Sequence, residues 1–341
     1  MNSSYALHSW LIRIDWSLSG WHAGRVEISV ITHNRPDSLA RLFSSLSGAL
    51  YFGDRLNLRI NIEQGADERT HQLVEDFRWN HGSVFVHHRV VRGGLLPAVV
   101  ESWYPHSDDE YGILLEDDVE LSPLFYAWAK FAILRYRYGK RRNESSKKMF
   151  GVSLYQQKSM ELRMEGRQPF HPRQVFAAAG LPFTTSPYLS PIPCSWGAVY
   201  FPEHWREFHE YLDSRLLQTK KKPDEEEDIV PDVRSSRWTK SWKKFFIELS
   251  YLRGYVMLYP NLDDFLSFST NHLEYGSHVR ERSRMKQELF KVPLMQLEQA
   301  SELNADLPAF EALPVLNLTG FVTDLTQLME QGERRSRLLA N

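Results

Sequence analysis

The chain has 341 residues, 42% hydrophobic and 25% charged, with a formal net charge of −2. That length supports a full core in one large or two small domains, and the charge balance excludes a global field drawing the protein to nucleic acid or an acidic membrane. A single cysteine, Cys194, excludes an internal disulfide framework and a cysteine-rich zinc site.

Residues 1–25 form an irregular lead-in with three tryptophans, its apolar residues interrupted by Arg13 and Asp15. It lacks signal-peptide architecture. No stretch approaches the roughly 20 apolar residues of a transmembrane helix, so either the protein is soluble or an anchor lies outside this chain. VEISVI (26–31) predicts a strand, closed by a turn at Asn34-Arg35-Pro36-Asp37. Leu39, Leu42, Phe43, Leu46 and Leu50 then recur at helical spacing. LNLRINIE (56–63) alternates as a strand, Glu68 to Trp79 carries a helical face, and SVFVHHRVV (83–91) is a third strand broken at Gly93-Gly94. Leu96 to Trp103 makes a short helix, and YGILLEDD (111–118) a fourth strand. This alternation predicts an α/β fold with a mostly parallel sheet and flanking helices.

Ser122 and Pro123 suit the start of a helix carrying Leu124, Phe125, Trp128 and Phe131. KMFGVSL (148–154) predicts a strand, 165–195 a long loop, SWGAVYF (195–201) a strand, and Trp205 to Leu216 a helix. KKKPDEEED (220–228) reads as a solvated loop. Trp242 to Leu249 predicts a helix, YVMLYPN (255–261) a strand, and 279–341 a charged, mostly helical tail.

The most informative stretch is GILLEDDVELSP (112–123), in which an apolar strand ends in Glu116, Asp117 and Asp118. Open α/β sheets bind ligands at that edge. Three adjacent carboxylates repel one another, more so when buried. A divalent cation relieves the conflict, and carboxylates suit Mg2+ and Mn2+.

VEISVITHNRPDSLARLFSSL (26–46), INIEQGADERT (60–70) and ILLEDDVELSPLFYAW (113–128) together resemble GT-A-fold (nucleotide-diphospho-sugar transferase) glycosyltransferases. The third piece is similar to the family of the N-acetylglucosaminyltransferase that begins complex N-glycans and its protein O-mannosyl relative. The NHLE segment and SWKKFFIELSYLRGYVMLYPN resemble uncharacterised glycosyltransferase-like proteins of fungi, plants and algae. The resemblance implies a GT-A domain over 26–278, with a nucleotide-binding half at 26–118 and an acceptor half at 119–278. It implies a hexosyltransferase or N-acetylhexosaminyltransferase that uses Mn2+ (or Mg2+) and a nucleotide-diphosphate sugar, with UDP the expected nucleotide. The acceptor is a glycan, glycoprotein or other hydroxyl. By the same analogy the setting is the endomembrane lumen, Golgi or ER.

The resemblance makes Asp118 the metal ligand, with Asp117 binding through water or orienting it, and places Glu116 against the ribose. Arg35 either pairs with phosphate or base, or balances Asp37 on the surface. Thr32 and His33 border the base pocket. Glu63 and Gln64 end the second strand where the family has an Asp for the uracil imide; Gln64 stands nearest that place and Glu63 is its substitute. Arg92, Gly93 and Gly94 are either a plain turn or a close backbone approach to ligand. His272 is either a further metal ligand or a hydrogen-bonded loop histidine, with His278 as alternative. Trp196 and Gly197 border an acceptor site, or Trp196 is core.

An inverting transferase needs a carboxylate to take the acceptor's proton. The resembling enzymes carry an Asp just before a Trp; here Lys240 and Ser241 precede Trp242. Asp232 and Glu203 are the nearest substitutes. The basic run from Arg234 to Lys244 either holds diphosphate or is a solvated face. The missing base leaves a second reading, a non-catalytic nucleotide-sugar or carbohydrate-binding protein on the same fold. A nucleotidyltransferase fits less well, since no glycine-rich phosphate loop with a lysine follows the first strand.

Overall fold

The computed structural model describes residues 21–139, 144–221, 228–239, 241–274, 288–303 and 307–339. The lead-in before residue 21, residues 222–227, Lys240 and His278 lie outside them. Strand β1 (Arg25–Thr32) leads into helix α1 (Pro36–Ser47), then β2 (Leu58–Ile62), α2 (Glu68–Asp76), β3 (Val84–His88), α3 (Leu95–Val100) and β4 (Glu110–Glu116). Each expected element of this half is present. Pro36 sits in the first turn of α1, and Asp67 caps α2 by accepting from the Thr70 amide at 2.8 Å.

The next half departs further from its expected outline. β5 (Val119–Leu121) intervenes before α4 (Phe125–Ile133), and β6 (Met149–Ser153), β7 (Ser159–Met160) and β8 (Gln168–Pro169) follow. Ser122 stands two residues before the cap position, Leu124; its hydroxyl accepts the Leu124 amide at 3.0 Å and donates to the Met295 carbonyl at 2.5 Å. The expected long loop at 165–195 contains α5 (Pro172–Ala178) and an interior strand, β9 (Tyr188–Ser190). Then come β10 (Ala198–Tyr200), α6 (Pro202–Lys221), α7 (Trp242–Arg253), β11 (Val256–Tyr259) and β12 (Ser269–Asn271). The C-terminal segment contributes strands as well as helix: β13 (Val315–Leu316), β14 (Val322–Thr323) and α8 (Leu325–Leu339).

Ten strands form one sheet in the order β14-β13-β9-β11-β6-β10-β4-β1-β2-β3. β4, β1, β2 and β3 are mutually parallel, while β10 lies antiparallel between β4 and β6. This is the α/β class, a large and mostly parallel sheet with helices on both faces, that the GT-A resemblance implies. Alternation along the strands builds two cores. Ile28, Val30, Ile113 and Leu115 face Leu39, Leu42 and Phe43 of α1 and the wholly buried α4. Ile31 and Leu114 face the other way, among Val99 of α3, Trp205 and Phe208 of α6 and Phe246 of α7. Parallel register brings the C-terminal ends of β1, β2, β3 and β4 to one edge: Ile31 lies beside Glu116, and Thr32 beside Ile62, which lies beside His88.

Candidate active site at the sheet edge

β4 runs through the core and releases its three acids where the sheet stops. Asp117 is buried and turns back onto β1: Thr32 Oγ1 donates to its Oδ2 at 2.9 Å and Arg35 Nη1 to its Oδ1 at 3.1 Å. Arg35 is 3.9 Å from Asp118 Oδ2, so one guanidinium spans two carboxylates. Asp37 pairs instead with Arg69, at 2.9 Å, which sets aside the surface reading of Arg35. Asp118 is held from the other side. Asn271 Nδ2 donates to its Oδ1 at 2.8 Å, and its carbonyl accepts the His272 amide at 2.8 Å. Both contacts follow from the antiparallel pairing of β12 with β5.

The acids sit where their charge is unfavourable. Burial, with Asp118 and Asp117 beside it, pushes the Glu116 carboxyl up to about 8. Burial and Asp117 push Asp118 up to about 7, and Arg35 only partly offsets this. Burial also raises Asp117, against the pull of Arg35 and Thr32. Clustered carboxylates with raised proton affinity are a functional-site signature. Among the described residues no three His, Cys, Asp or Glu side chains enclose a ready metal cage. A Mg2+- or Mn2+-type site needs none, because such ions bind through one or two carboxylates and keep water and phosphate oxygens as their other ligands. Asp118, with one oxygen on Asn271 and the other turned toward Arg35, fits that role with Asp117 behind it.

Other expected site residues are placed differently. His272 has its backbone next to Asp118, but its Nε2 lies 2.6 Å from Glu120 Oε2, and that contact holds Glu120 below the ordinary carboxylate range. Nε2 of the ring is therefore engaged by Glu120. Glu63 is buried, and its carboxylate is taken up by backbone donors: Gln64 N at 2.8 Å, Gly94 N at 3.0 Å and Gly93 N at 3.3 Å. It fastens the loop after β3 rather than presenting an acceptor to a base. Gln64 and Arg92 are exposed on either side of it. Gly94 has φ +77°, a conformation that suits glycine at the entry to α3.

Neither expected base is at this edge. Glu203 opens α6 at the far end of β10. Because β10 is antiparallel to β4, with Tyr200 opposite Gly112, that end lies toward the start of β4. Glu203 is locked to the buried Arg137. Asp232 is exposed in a left-handed turn with φ 55°, and it borders a cleft with Tyr251, Asn317 and Gln331 that includes none of the three acids. Trp196 and Gly197 do reach the acids' edge. The Trp196 carbonyl accepts from Ser269 Oγ at 2.6 Å, and a Cβ on Gly197 would stand 3.4 Å from Leu115.

Sequence reasoning missed Asn271, Glu120 and Glu274. Glu274 accepts from Ser38 Oγ at 2.6 Å and lies 3.2 Å from Arg41, and its charge adds to the rise at Asp118. The NHLE segment carried the signal, since Asn271 and Glu274 flank His272 there.

The family described as SPBC1E8.03c C-terminal domain matches residues 37–161, well under half of the chain. No curated protein matches. Among solved structures, a mannosyltransferase, PcManGT from Pyrobaculum calidifontis, in complex with GDP-Man and Mn2+, is 14% identical, with a TM-score of 0.38 over 60% of this chain and 52% of that one. S. aureus TarS 1-349 is 13% identical, with a TM-score of 0.36 over 70% of this chain and 58% of that one. The chain thus spans little more than half the length of either. A likeness that slight extends to neither substrate nor mechanism.

Proposed function

We propose that this chain is a metal-dependent glycosyltransferase, moving a sugar from a nucleotide-diphosphate donor, UDP by preference, to a hydroxyl acceptor with inversion. The observation that carries it is the convergence of Glu116, Asp117 and Asp118 with Thr32 and Arg35 at one sheet edge. Bound Mn2+ or Mg2+ would offset the charge that grows on the departing diphosphate. Asp118 would hold the ion, and Asp117 with Asn271 would fix the angle of Asp118. Arg35 offers its guanidinium to a phosphate oxygen. Glu116, at the end of β4, is placed for a ribose hydroxyl. We take 26–278 as the working unit, its sheet completed by β13 and β14, and on the resemblance alone we place it in the Golgi or ER lumen. Among the described residues no helix is long and apolar enough to cross a membrane.

The test is release of a nucleoside diphosphate from a panel of nucleotide sugars, with Mn2+ and with chelator. Asp118→Asn is expected to abolish release while the melting transition stays cooperative. Full activity in that variant would remove the metal assignment. A second reading, metal-dependent binding without turnover, is favoured by the absence of a carboxylate before Trp242; any turnover would exclude it.

A further inference from the structure

A cleft of about 190 Å3 lies apart from the three acids, lined by residues of α7, α8, the 230–233 loop and the turn that joins β13 to β14. One of them, Ser250 of α7, is wholly buried, and its hydroxyl has no hydrogen-bond partner. An unmade bond there costs the fold free energy, which a ligand donor or acceptor would recover. Asp232 borders the same cleft, exposed and with φ 55°. A left-handed residue other than glycine is strained, and such strain gathers at ligand clamps. The loop that carries it is pinned: Arg335 Nε donates to the Ile229 carbonyl at 3.0 Å, and Ser236 Oγ to the Val230 carbonyl at 3.0 Å. Among the described residues the Asp232 carboxylate is in no hydrogen bond or ion pair.

The other polar groups are complementary in kind. Asn317 Oδ1 accepts from the Thr319 and Phe321 amides, each at 3.0 Å, which leaves its Nδ2 as a donor. Gln331 bonds the hydroxyl of half-buried Tyr251. Beside them Val230, Leu318 and Leu328 supply buried apolar surface. Among the described residues no Lys, Arg or His lines the cleft and only one carboxylate does, so phosphate and divalent cations are poor candidates. A polyol is a good one. Its hydroxyls donate to a carboxylate and accept from an amide, and its C–H face suits an apolar wall. Size agrees: a cavity of about 150 Å3 takes up benzene, so 190 Å3 has room for one hydroxylated six-membered ring.

We propose that this cleft is a carbohydrate-binding site separate from the acids. It holds one sugar residue, with Asp232 accepting from a ring hydroxyl, Asn317 donating, and Ser250 gaining the partner it lacks. The proposal does not rest on the transferase reading, because the site is non-catalytic and needs neither metal nor nucleotide. In a transferase it would hold a glycan by a residue other than the one that reacts.

The test is saturation-transfer NMR on the full chain, without metal or nucleotide, against the methyl glycosides of glucose, galactose, mannose, xylose and N-acetylglucosamine. At least one is expected to bind at millimolar concentration, and as tightly to Asp118→Asn as to wild type. Asp232→Asn, which keeps a residue that tolerates the left-handed turn, should lose about 10-fold or more in affinity, the scale of one hydrogen bond to a charged group. Ser250→Ala should lose about 3-fold while melting no lower than wild type, since it deletes a hydroxyl that the free protein leaves unbonded. No glycoside bound by wild type, either cleft variant binding as wild type does, or loss of binding in Asp118→Asn would overturn the proposal. None of these readouts depends on nucleoside diphosphate release, which tests the donor site on its own.

Discussion

Glu63 and Asp118 are both carboxylates at the end of a strand, yet their surroundings give them different tasks. Three backbone amides and the Arg89 guanidinium, 3.6 Å away, engage Glu63, so its loss should loosen the 92–94 loop rather than the chemistry. Glu63→Ala is expected to raise the donor KM several-fold and leave kcat nearly unchanged; a fall in kcat alone would contradict this. The raised acids make a second prediction. The folded form binds their protons more tightly than the unfolded form, whose carboxyls titrate near 4. Their contribution to stability is therefore fully present below about pH 4 and is lost as pH rises through about 7 and 8. Metal-free protein should lose melting temperature over that interval. Added Mn2+ should raise it more at pH 8 than at pH 6, and Asp118→Asn should flatten the profile. An equal Mn2+ effect at both pH values would argue against coupling between the ion and these acids. Glu116, Asp117 and Asp118 were legible because they are contiguous and follow an apolar run. Asn271 was not, because it meets Asp118 across 153 positions through a three-residue strand pair.

At the scale of elements, the sheet edge depends on close packing beneath it. A Cβ on Gly112, in the middle of β4, would lie 2.4 Å from the Trp103 ring, and one on Gly151 in β6 would lie 2.2 Å from the Val199 carbonyl. Gly112→Ala should cost about 1–3 kcal/mol, the usual range for overpacking. It should also weaken metal-dependent donor binding, because β4 carries the acids. Denaturant melts beside donor titrations would check both, and unaltered stability would show that Trp103 can yield. The strands and helices of 25–116 were readable from their alternation and spacing. Misassignment of Glu203 came from direction: the short β10 gives no sequence sign that it runs against β4. β9 was lost for a similar reason, as three residues amid Pro, Ser and Thr look like loop.

Across the whole molecule, the last helix closes the structure onto α7. Gly332 of α8 lies so close that a Cβ there would be 2.4 Å from the Tyr251 carbonyl, and Gly254, in the left-handed conformation that ends α7, abuts Met329. Gly332→Leu should lower the melting temperature while leaving the acids' geometry, and hence metal dependence, in place. Loss of metal dependence at full stability would show instead that α8 communicates with the distant edge. β10 has a further consequence, for the order in which the chain assembles. β1 to β4 draw on neighbouring sequence and can pair early, but β4 gains its second neighbour only when residues 198–200 arrive. Until then a long apolar strand has one unpaired side, which is a template for the wrong partner. Nascent chains halted between β4 and β10 should therefore need chaperone protection, and a ribosome pausing in that interval would put the fold at greater risk than one pausing after it.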